Sequence, residues 1–237
     1  MNDLLTMIWK EWKDFLFSGG RSDLLRPLLN MVILGIILPL ALGQSWINLE
    51  TAPVLIIVFT PFMFVILIIS DAIAGERERH TLETLLASRI SDRAILFSKV
   101  IVTVGYNWIM TLFCLLLGDV VVNLSLRPGQ FEFYRPLNLF AVVLILSFLA
   151  TLLAASGGVL VSLKSVTVRQ ASQSMLLGLI ILGLAITAIV KLLPPTLTAS
   201  LTTSQIVGII LLVMVVLDTI LLAASLLSFQ RSRLIQS

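Results

Sequence analysis

Long apolar runs, separated by short polar stretches, constrain this chain of 237 residues more than any other feature. Each run is long enough for an α-helix to cross a hydrocarbon layer about 30 Å thick at about 1.5 Å per residue. Only 12% of the residues are charged, too few to cover a soluble fold of this size with a polar surface. We therefore predict an all-α membrane protein with six transmembrane helices, at residues 24–43, 53–70, 95–122, 137–163, 171–193 and 205–229.

The basic residues divide unevenly between the two sides of the predicted membrane. Thirteen of the 16 Lys and Arg residues fall on the side of the N-terminus. They are Lys10, Lys13, Arg21, Arg26, Arg77, Arg79, Arg89, Arg93, Lys99, Lys164, Arg169, Arg231 and Arg233; the other side has Arg127, Arg135 and Lys191. Because cytosolic loops carry the excess of Lys and Arg, we expect both termini and the second and fourth loops in the cytosol. Basic residues spread in this way do not form the continuous basic face that binds nucleic acid.

Residues 4–16 have the pattern of an amphipathic helix that precedes the first span. Its apolar arc consists of Leu4, Leu5, Ile8, Trp9, Trp12, Phe15 and Leu16, and Glu11 lies at the border of the polar face. Trp, Phe and Leu on one face and Lys on the other favour a position in the membrane interface. The alternative is a soluble cap that packs on a partner.

A second non-spanning element, residues 71–99, joins the second and third predicted spans. It is too charged to enter lipid, and Thr81 and Ser91 are suited to cap a short helix and the third span. The alternating charges from Glu76 to Arg79 suit a specific polar interface. The alternative is a solvated charged loop that only fixes the topology.

The sequence E-R-E-R-H-T-L-E-T-L-L, followed by I-S and a later Lys, resembles the cytosolic loop of type-2 permeases of ATP-binding-cassette (ABC) exporters. In that family the loop forms a coupling helix that docks into a groove on the ATPase subunit. By this resemblance the coupling segment, residues 76–86, contacts the ATPase through Glu76, Arg77, Glu78, Arg79, His80, Thr81, Leu82, Glu83, Leu85 and Leu86. Three residues depart from the family pattern: His80 and Ser98 replace common glycines, and Arg89 replaces a common proline.

The N-terminal W-K-E-W-K-D-F-L resembles the interfacial connecting helix of the same family, with Trp9, Trp12 and Phe15 as its interfacial residues. The resemblance covers essentially the whole chain. It implies one transmembrane permease domain, residues 1–237, with the interfacial helix at 1–20 and the cytosolic coupling loop at 71–92. It also implies a homodimer or a pair with a related permease, bound to two ATPase subunits in the plasma (inner) membrane of a prokaryote. ATP and Mg would bind the ATPase, so we expect no cofactor on this chain.

Several residues at membrane depth are candidates for a functional role. Asp218 lies near the middle of the sixth span, where a carboxylate is costly, and Asn107 lies at a similar depth in the third. A buried interhelical pair and a substrate or ion contact both fit. The resemblance implies that spans one, two and five line the route between two permease copies. The candidate lining residues are Met31, Phe59, Phe62 and Met63.

No motif for ATP hydrolysis, metal binding or nucleophilic catalysis is recognised. The nearest match to a phosphate-binding loop, residues 158–165, has Leu163 at the second glycine. One histidine, His80, and one cysteine, Cys114, provide no plausible metal site. We expect a permease subunit that is not itself an enzyme. The alternatives are an ion-gradient-driven secondary transporter, for which the chain lacks evident inverted repeats, and a non-transporting membrane assembly factor.

Overall fold

The computed structural model describes residues 2–17, 28–81, 90–126, 131–192 and 203–229. All regular secondary structure in these ranges is helical, which confirms the predicted all-α fold class. The helices of the described ranges are α1 (Asn2–Phe17), α2 (Leu28–Leu42), α3 (Gln44–Ile47), α4 (Thr51–Glu78), α5 (Asp92–Leu126), α6 (Leu137–Lys164), α7 (Val168–Leu192) and α8 (Thr203–Ser228).

Four helices, α4, α5, α6 and α8, are long and apolar enough to cross a membrane. Helix α2 is a shorter apolar helix, and α7 has 25 residues. All six lie where the sequence places a span. The membrane class is therefore confirmed, and the count of six spans stays a prediction.

Helix α2 contains a π-helical turn at Ile33–Ile37, in which the N–H of Leu38 donates to the carbonyl of Ile33. Proline explains this turn: Pro39 lacks an N–H, and in a regular α-helix its ring would collide with the carbonyl of Gly35. The wider turn removes that collision.

The chain divides into two compact units. Unit 1 contains residues 1–64 and 97–151, and unit 2 contains residues 65–96 and 152–237. Each unit has its own buried residues and hydrogen bonds, which are described separately below.

Neutral side chains form the core of unit 1 around residues 131–136, which precede α6 and are not helical. Trp46 Nε1 donates to the hydroxyl of Tyr134 at 2.8 Å, and that hydroxyl donates to the Leu115 carbonyl at 2.7 Å. The ring of Tyr134 also stacks on Phe140, with centroids 4.9 Å apart. Both Trp46 and Tyr134 are buried. This network attaches residues 131–136 to α3 and α5.

Asn123 makes a second attachment within unit 1. Its Nδ2 donates to the Glu132 carbonyl at 2.9 Å, and its Oδ1 accepts from the Glu132 N–H at 2.8 Å. A side-chain amide thus replaces a neighbouring strand for these backbone groups. Glycine at position 118 permits close helix approach in the same region, since a methyl group there would lie 2.8 Å from Pro39 Cγ.

Candidate coupling site

Near its end, α4 widens into a π-helical segment at Asp71–Gly75, and the hydroxyl of Ser162 in α6 accounts for it. Ser162 Oγ accepts from the N–H of Ala74 at 3.0 Å and donates to the carbonyl of Ser70 at 3.3 Å. In an α-helix these two backbone groups would bond to each other. The hydroxyl therefore lies between them, and such insertion is a known cause of helix distortion. It joins α4 to α6 without using a charge.

Close packing reinforces this junction one turn earlier in α4. A methyl group at Gly158 in α6 would lie 2.6 Å from Met175 Cε and would also collide with Ile69, so a larger residue would force the helices apart. Ser70 Oγ donates to the Ile66 carbonyl at 2.6 Å and lies 3.4 Å from Met175 Sδ. Helices α4, α6 and α7 therefore meet at this point of unit 2.

Two neighbouring charged residues at the end of α4 bind the backbone at the α6–α7 connection. Arg77 donates to the carbonyls of Ser165 and Leu163 at 2.9 and 3.2 Å. Glu78 Oε2 accepts from the N–H of Val168 at 3.2 Å. The unpaired carbonyls at a helix C-terminus attract cations, and the unpaired N–H groups at an N-terminus attract anions, with about 0.3–1 kcal/mol for each contact near the surface. Arg77 and Glu78 therefore each meet the helix end of opposite partial charge.

Arg79 differs from these two residues because its partner lies on its own helix. Its Nη2 lies 2.8 Å from Asp71 Oδ2, and the two side chains are 58% and 47% exposed. The hydrogen bond that the Arg79 guanidinium donates to Asp71 raises the pKa of Arg79, which therefore stays charged at physiological pH. Exposed pairs of this kind contribute about 0–1 kcal/mol to folding.

His80 ends α4 in a left-handed conformation, with φ of 56°. The N–H of Thr81 donates to the carbonyl of Glu76 at 2.9 Å, and the N–H of His80 donates to that of Arg77 at 3.1 Å. This pair of bonds defines a Schellman motif, in which glycine is the usual left-handed residue. A glycine, which the resemblance leads us to expect at position 80, would adopt this conformation without strain. His80 adopts the same turn at a cost in backbone energy.

Only the two flanks of the predicted short coupling helix are described. The hydroxyl of Thr81 donates to the Glu76 carbonyl at 3.2 Å. Ser91 Oγ accepts from the N–H of Ala94 at 3.3 Å and caps α5, as the sequence predicts. The short helix itself stays a prediction, because its residues lie outside the described ranges: Leu82, Glu83, Leu85 and Leu86.

The N-terminal helix α1 packs against α5 within unit 1. Glu11 and Lys99 form an ion pair of 3.1 Å, with side chains 16% and 2% exposed. The rings of Trp12 and Tyr106 meet edge to face, with centroids 6.5 Å apart, and Met7 is buried. A buried charge is costly without its counter-charge, so the ion pair holds α1 at this place on α5.

The apolar arc predicted for α1 is divided between two surroundings. Leu4 and Trp12 are partly buried, whereas Leu5 and Trp9 are 59% and 71% exposed. Leu5 and Trp9 lie one turn apart and form an exposed apolar strip, which suits a membrane interface. The interfacial position of α1 stays a prediction, and the side chain of Phe15 lies outside the described part of the structure.

The two polar residues predicted at membrane depth are both buried. Asn107 is fully buried, and its Nδ2 donates to the Thr103 carbonyl of its own helix at 2.6 Å. Asp218 is 2% exposed, and neither of its carboxylate oxygens has a hydrogen-bond partner among the described residues. Asn107 belongs to unit 1 and Asp218 to unit 2, and both the interhelical pair and the substrate or ion contact stay predictions. The described residues do not contain a group of three His, Cys, Asp or Glu side chains arranged to hold a metal ion.

The four candidate lining residues differ in exposure. Phe62 is buried, Met31 is partly buried, and Phe59 and Met63 are 36% and 52% exposed. Phe59 and Phe62 are in contact, with ring centroids 6.0 Å apart. A small apolar cleft in unit 1 is lined instead by Leu34, Trp46, Ile56, Ile57, Thr60, Thr111, Cys114 and Leu115. The assignment of the four residues to a transport route stays a prediction.

Sequence reasoning missed Ser162 and the Glu11–Lys99 pair. A serine in an apolar helix gives no distinct signal, since most such hydroxyls bond within their own helix, as Ser147 does here. Lys99 did carry a signal, because it lies inside the apolar run that starts at residue 95. A lysine in that position requires a partner, and Glu11 at the border of the amphipathic helix was a candidate.

Comparison with known protein families agrees with these observations. Residues 2–192 match the family model described as ABC-2 type transporter, a match that includes α1, the charged end of α4 and the coupling segment. No curated protein matches the chain. Since the match covers well over half of the residues, the chain belongs to the ABC-2 type transporter family and is a multi-pass transmembrane subunit of an ABC transporter.

Proposed function

We propose that this chain is the permease subunit of an ATP-driven exporter, whose coupling segment docks on a separate ATPase subunit. The observation that carries the proposal is the structure at the end of α4. There the helix continues past its apolar span to Glu78 and ends in a turn at His80, directly before the predicted short coupling helix. Membership of the ABC-2 family supports an ATPase partner, since permeases of this family typically pair with one.

In the proposed complex, two permease copies bind two ATPase subunits in the plasma membrane, with both permease termini in the cytosol. ATP and Mg bind the ATPase pair, which closes on binding, and the coupling segments carry that movement into the transmembrane helices. Export opens a route between the two copies, lined in part by Met31, Phe59, Phe62 and Met63. This chain supplies the route and the moving element, and the ATPase supplies the chemistry.

The two alternative functions lead to different expectations. Membership of an ABC family argues against a secondary transporter driven by an ion gradient. A non-transporting assembly factor would also bind an ATPase through the coupling segment, but ATP hydrolysis would move no substrate. Transport that requires a hydrolysis-competent ATPase therefore separates the exporter from the assembly factor.

Reversal of one charge in the coupling segment tests the proposed docking. Glu83→Lys would place a positive charge against the basic groups that we expect on the ATPase. Like charges that face each other across an interface weaken binding by several kcal/mol. We expect normal membrane levels of the permease, much lower recovery of a co-expressed ATPase on the tagged permease, and loss of ATP-dependent transport. Glu50→Lys is the matched control, because Glu50 is exposed and is predicted on the opposite side of the membrane. Equal ATPase recovery on both variants and on the wild type would contradict the proposal.

A further inference from the structure

We infer that Arg77 and Glu78 transmit the movement of the coupling segment into α6 and α7, rather than binding the ATPase themselves. The inference rests on the proposed function and divides the charged residues of the coupling segment into two groups. Arg77 and Glu78 bind their own chain and act as positioning residues. The residues that follow the turn at His80 make the contact with the ATPase.

The first argument is the direction of the two side chains. Arg77 donates to two backbone carbonyls at the end of α6, and Glu78 accepts from the first N–H of α7. These partners are backbone groups at helix ends, which move only when the helices themselves move. Because each charge meets a helix end of opposite partial charge, the contact resists separation of α4 from both helices. Their neighbour Arg79 bonds within α4 and reaches neither helix in this way.

The second argument is that the contact is continuous along α4. It begins with the packing of Ile69 against Gly158, continues through the inserted hydroxyl of Ser162, and ends with Glu78 at Val168. From residue 69 to residue 78 an α-helix rises about 14 Å. A helix held over this length by packing, by a neutral hydrogen bond and by two charges moves together with its neighbours.

The third argument is the position of the coupling segment within the chain. Unit 2 contains residues 65–96, and therefore both helix ends that flank the segment, as well as the ends of α6 and α7 that Arg77 and Glu78 bind. Displacement of the segment therefore acts on one compact unit, in which Arg77 and Glu78 already join α4 to the ends of α6 and α7. Glu78 lies only five residues before Glu83, the residue chosen above to test docking.

The test measures movement of α7 separately from ATPase binding. A single cysteine replaces Gln173, an exposed residue of α7, in a Cys114→Ser background of the assembled complex with its ATPase. The readout is the ratio of maleimide labelling rates with and without ATP plus vanadate. ATPase recovery on the tagged permease is measured on the same samples. For the wild type we expect a ratio clearly different from one, because movement of α7 changes the exposure of the cysteine.

Two variants break the Glu78 contact from opposite sides. Glu78→Ala removes the acceptor, and Val168→Pro removes the donor. Val168 is the first residue of α7 and follows the capping Thr167, a position where proline is well tolerated. Arg77→Ala tests the α6 contact. Glu78→Gln keeps an acceptor oxygen and is the conservative variant, and Arg79→Ala is the matched control.

We expect Arg77→Ala, Glu78→Ala and Val168→Pro each to bring the labelling ratio clearly closer to one than in the wild type, with ATPase recovery unchanged. Glu78→Gln and Arg79→Ala should keep the wild-type ratio. The double variant Glu78→Ala with Val168→Pro should be no worse than either single variant. Because Val168→Pro leaves every side chain of α4 unchanged, it decides the question even if Arg77→Ala or Glu78→Ala fails to accumulate in the membrane.

Two results would overturn the inference. A wild-type labelling ratio in Val168→Pro would show that α7 moves without the Glu78 contact. Loss of ATPase recovery in Arg77→Ala at equal membrane levels would make Arg77 a docking residue. Both results differ from failure of the proposed function, in which the wild-type permease itself would neither recover the ATPase nor respond to nucleotide.

Discussion

Residues 131–136 and the charged end of α4, residues 71–81, are both held by hydrogen-bonding side chains, but the two sets differ in charge and burial. Around residues 131–136 the side chains are neutral and almost completely buried, as for Trp46, Tyr134 and Asn123. At the end of α4 the neutral, buried Ser162 is joined by charged side chains, and Arg79 and Asp71 are about half exposed. A buried polar group without a partner costs far more than an exposed one. We therefore expect the first region to contribute stability and the second to contribute coupling.

The ion pair between α1 and α5 is charged, like the contacts at the end of α4, but it is buried. Its loss therefore shows whether burial makes a charged contact important for stability. Glu11→Ala leaves Lys99, 2% exposed, without this counter-charge. Loss of one partner of a buried pair costs about 3–5 kcal/mol, the largest effect we expect from a single substitution in this protein. The measurement is thermal unfolding of the purified protein in detergent.

The exchanged pair, Glu11→Lys with Lys99→Glu, should recover part of the lost stability. It serves as the control for a change in helix packing that does not depend on charge. An unchanged midpoint for Glu11→Ala would mean that α1 is not held through this contact.

Tyr134→Phe is expected to have the next largest effect. It removes the hydroxyl that accepts from Trp46 and donates to the Leu115 carbonyl, and it leaves the ring in place. Leaving the buried Trp46 N–H without a partner should cost about 1–3 kcal/mol of unfolding free energy. Phe131→Leu, at a side chain 65% exposed, is the control and should leave the midpoint unchanged. Equal midpoints for the two variants would remove the distinction between buried and exposed contacts in this region.

Substitution of His80 probes the turn at the charged end of α4. His80→Val should cost about 1–2 kcal/mol, because a branched side chain disfavours the left-handed conformation. His80→Gly should be at least as stable as the wild type, since glycine adopts that conformation without strain. Thermal unfolding of the two variants side by side gives the difference, and the opposite order would contradict the assigned turn.

The smallest effect is expected at Arg79. Arg79→Gln removes the exposed ion pair with Asp71 and should change the unfolding free energy by less than about 1 kcal/mol. High salt should have an equally small effect on the wild type, because exposed pairs are screened. A loss as large as that of Tyr134→Phe would show that charge at the end of α4 contributes stability after all.

The sequence predicted those parts of the fold that depend on local rules. The Ser91 cap follows from its place before an apolar run, and α6 begins at the predicted residue 137. The predicted second span ended at residue 70, but α4 continues to Glu78, because helical hydrogen bonds do not require apolar residues. Apolarity marks the part of a helix in lipid and not its full length.

Local rules of this kind could not predict the hydrogen-bond partners of Arg77 and Glu78. They lie 86 to 90 residues away in the chain and are backbone groups, which have no residue-specific pattern. The charges of this segment were therefore visible in the sequence, and the contacts that they make were not. The same holds for Asn123, whose amide bonds to the backbone of Glu132.

The π-helical segment Asp71–Gly75 also bears on how related chains should be aligned. A π-helical turn contains one residue more than an α-helical turn, so it is equivalent to a single-residue insertion absorbed within the helix. In a regular α-helix each added residue would rotate everything after it by about 100°, and the π turn avoids that rotation. If the same sequence formed a regular α-helix here, Arg77 and Glu78 would face away from α6 and α7. A homologue with a one-residue gap in this stretch can therefore keep the Arg and Glu contacts with a regular α-helix, and it then needs no hydroxyl corresponding to Ser162.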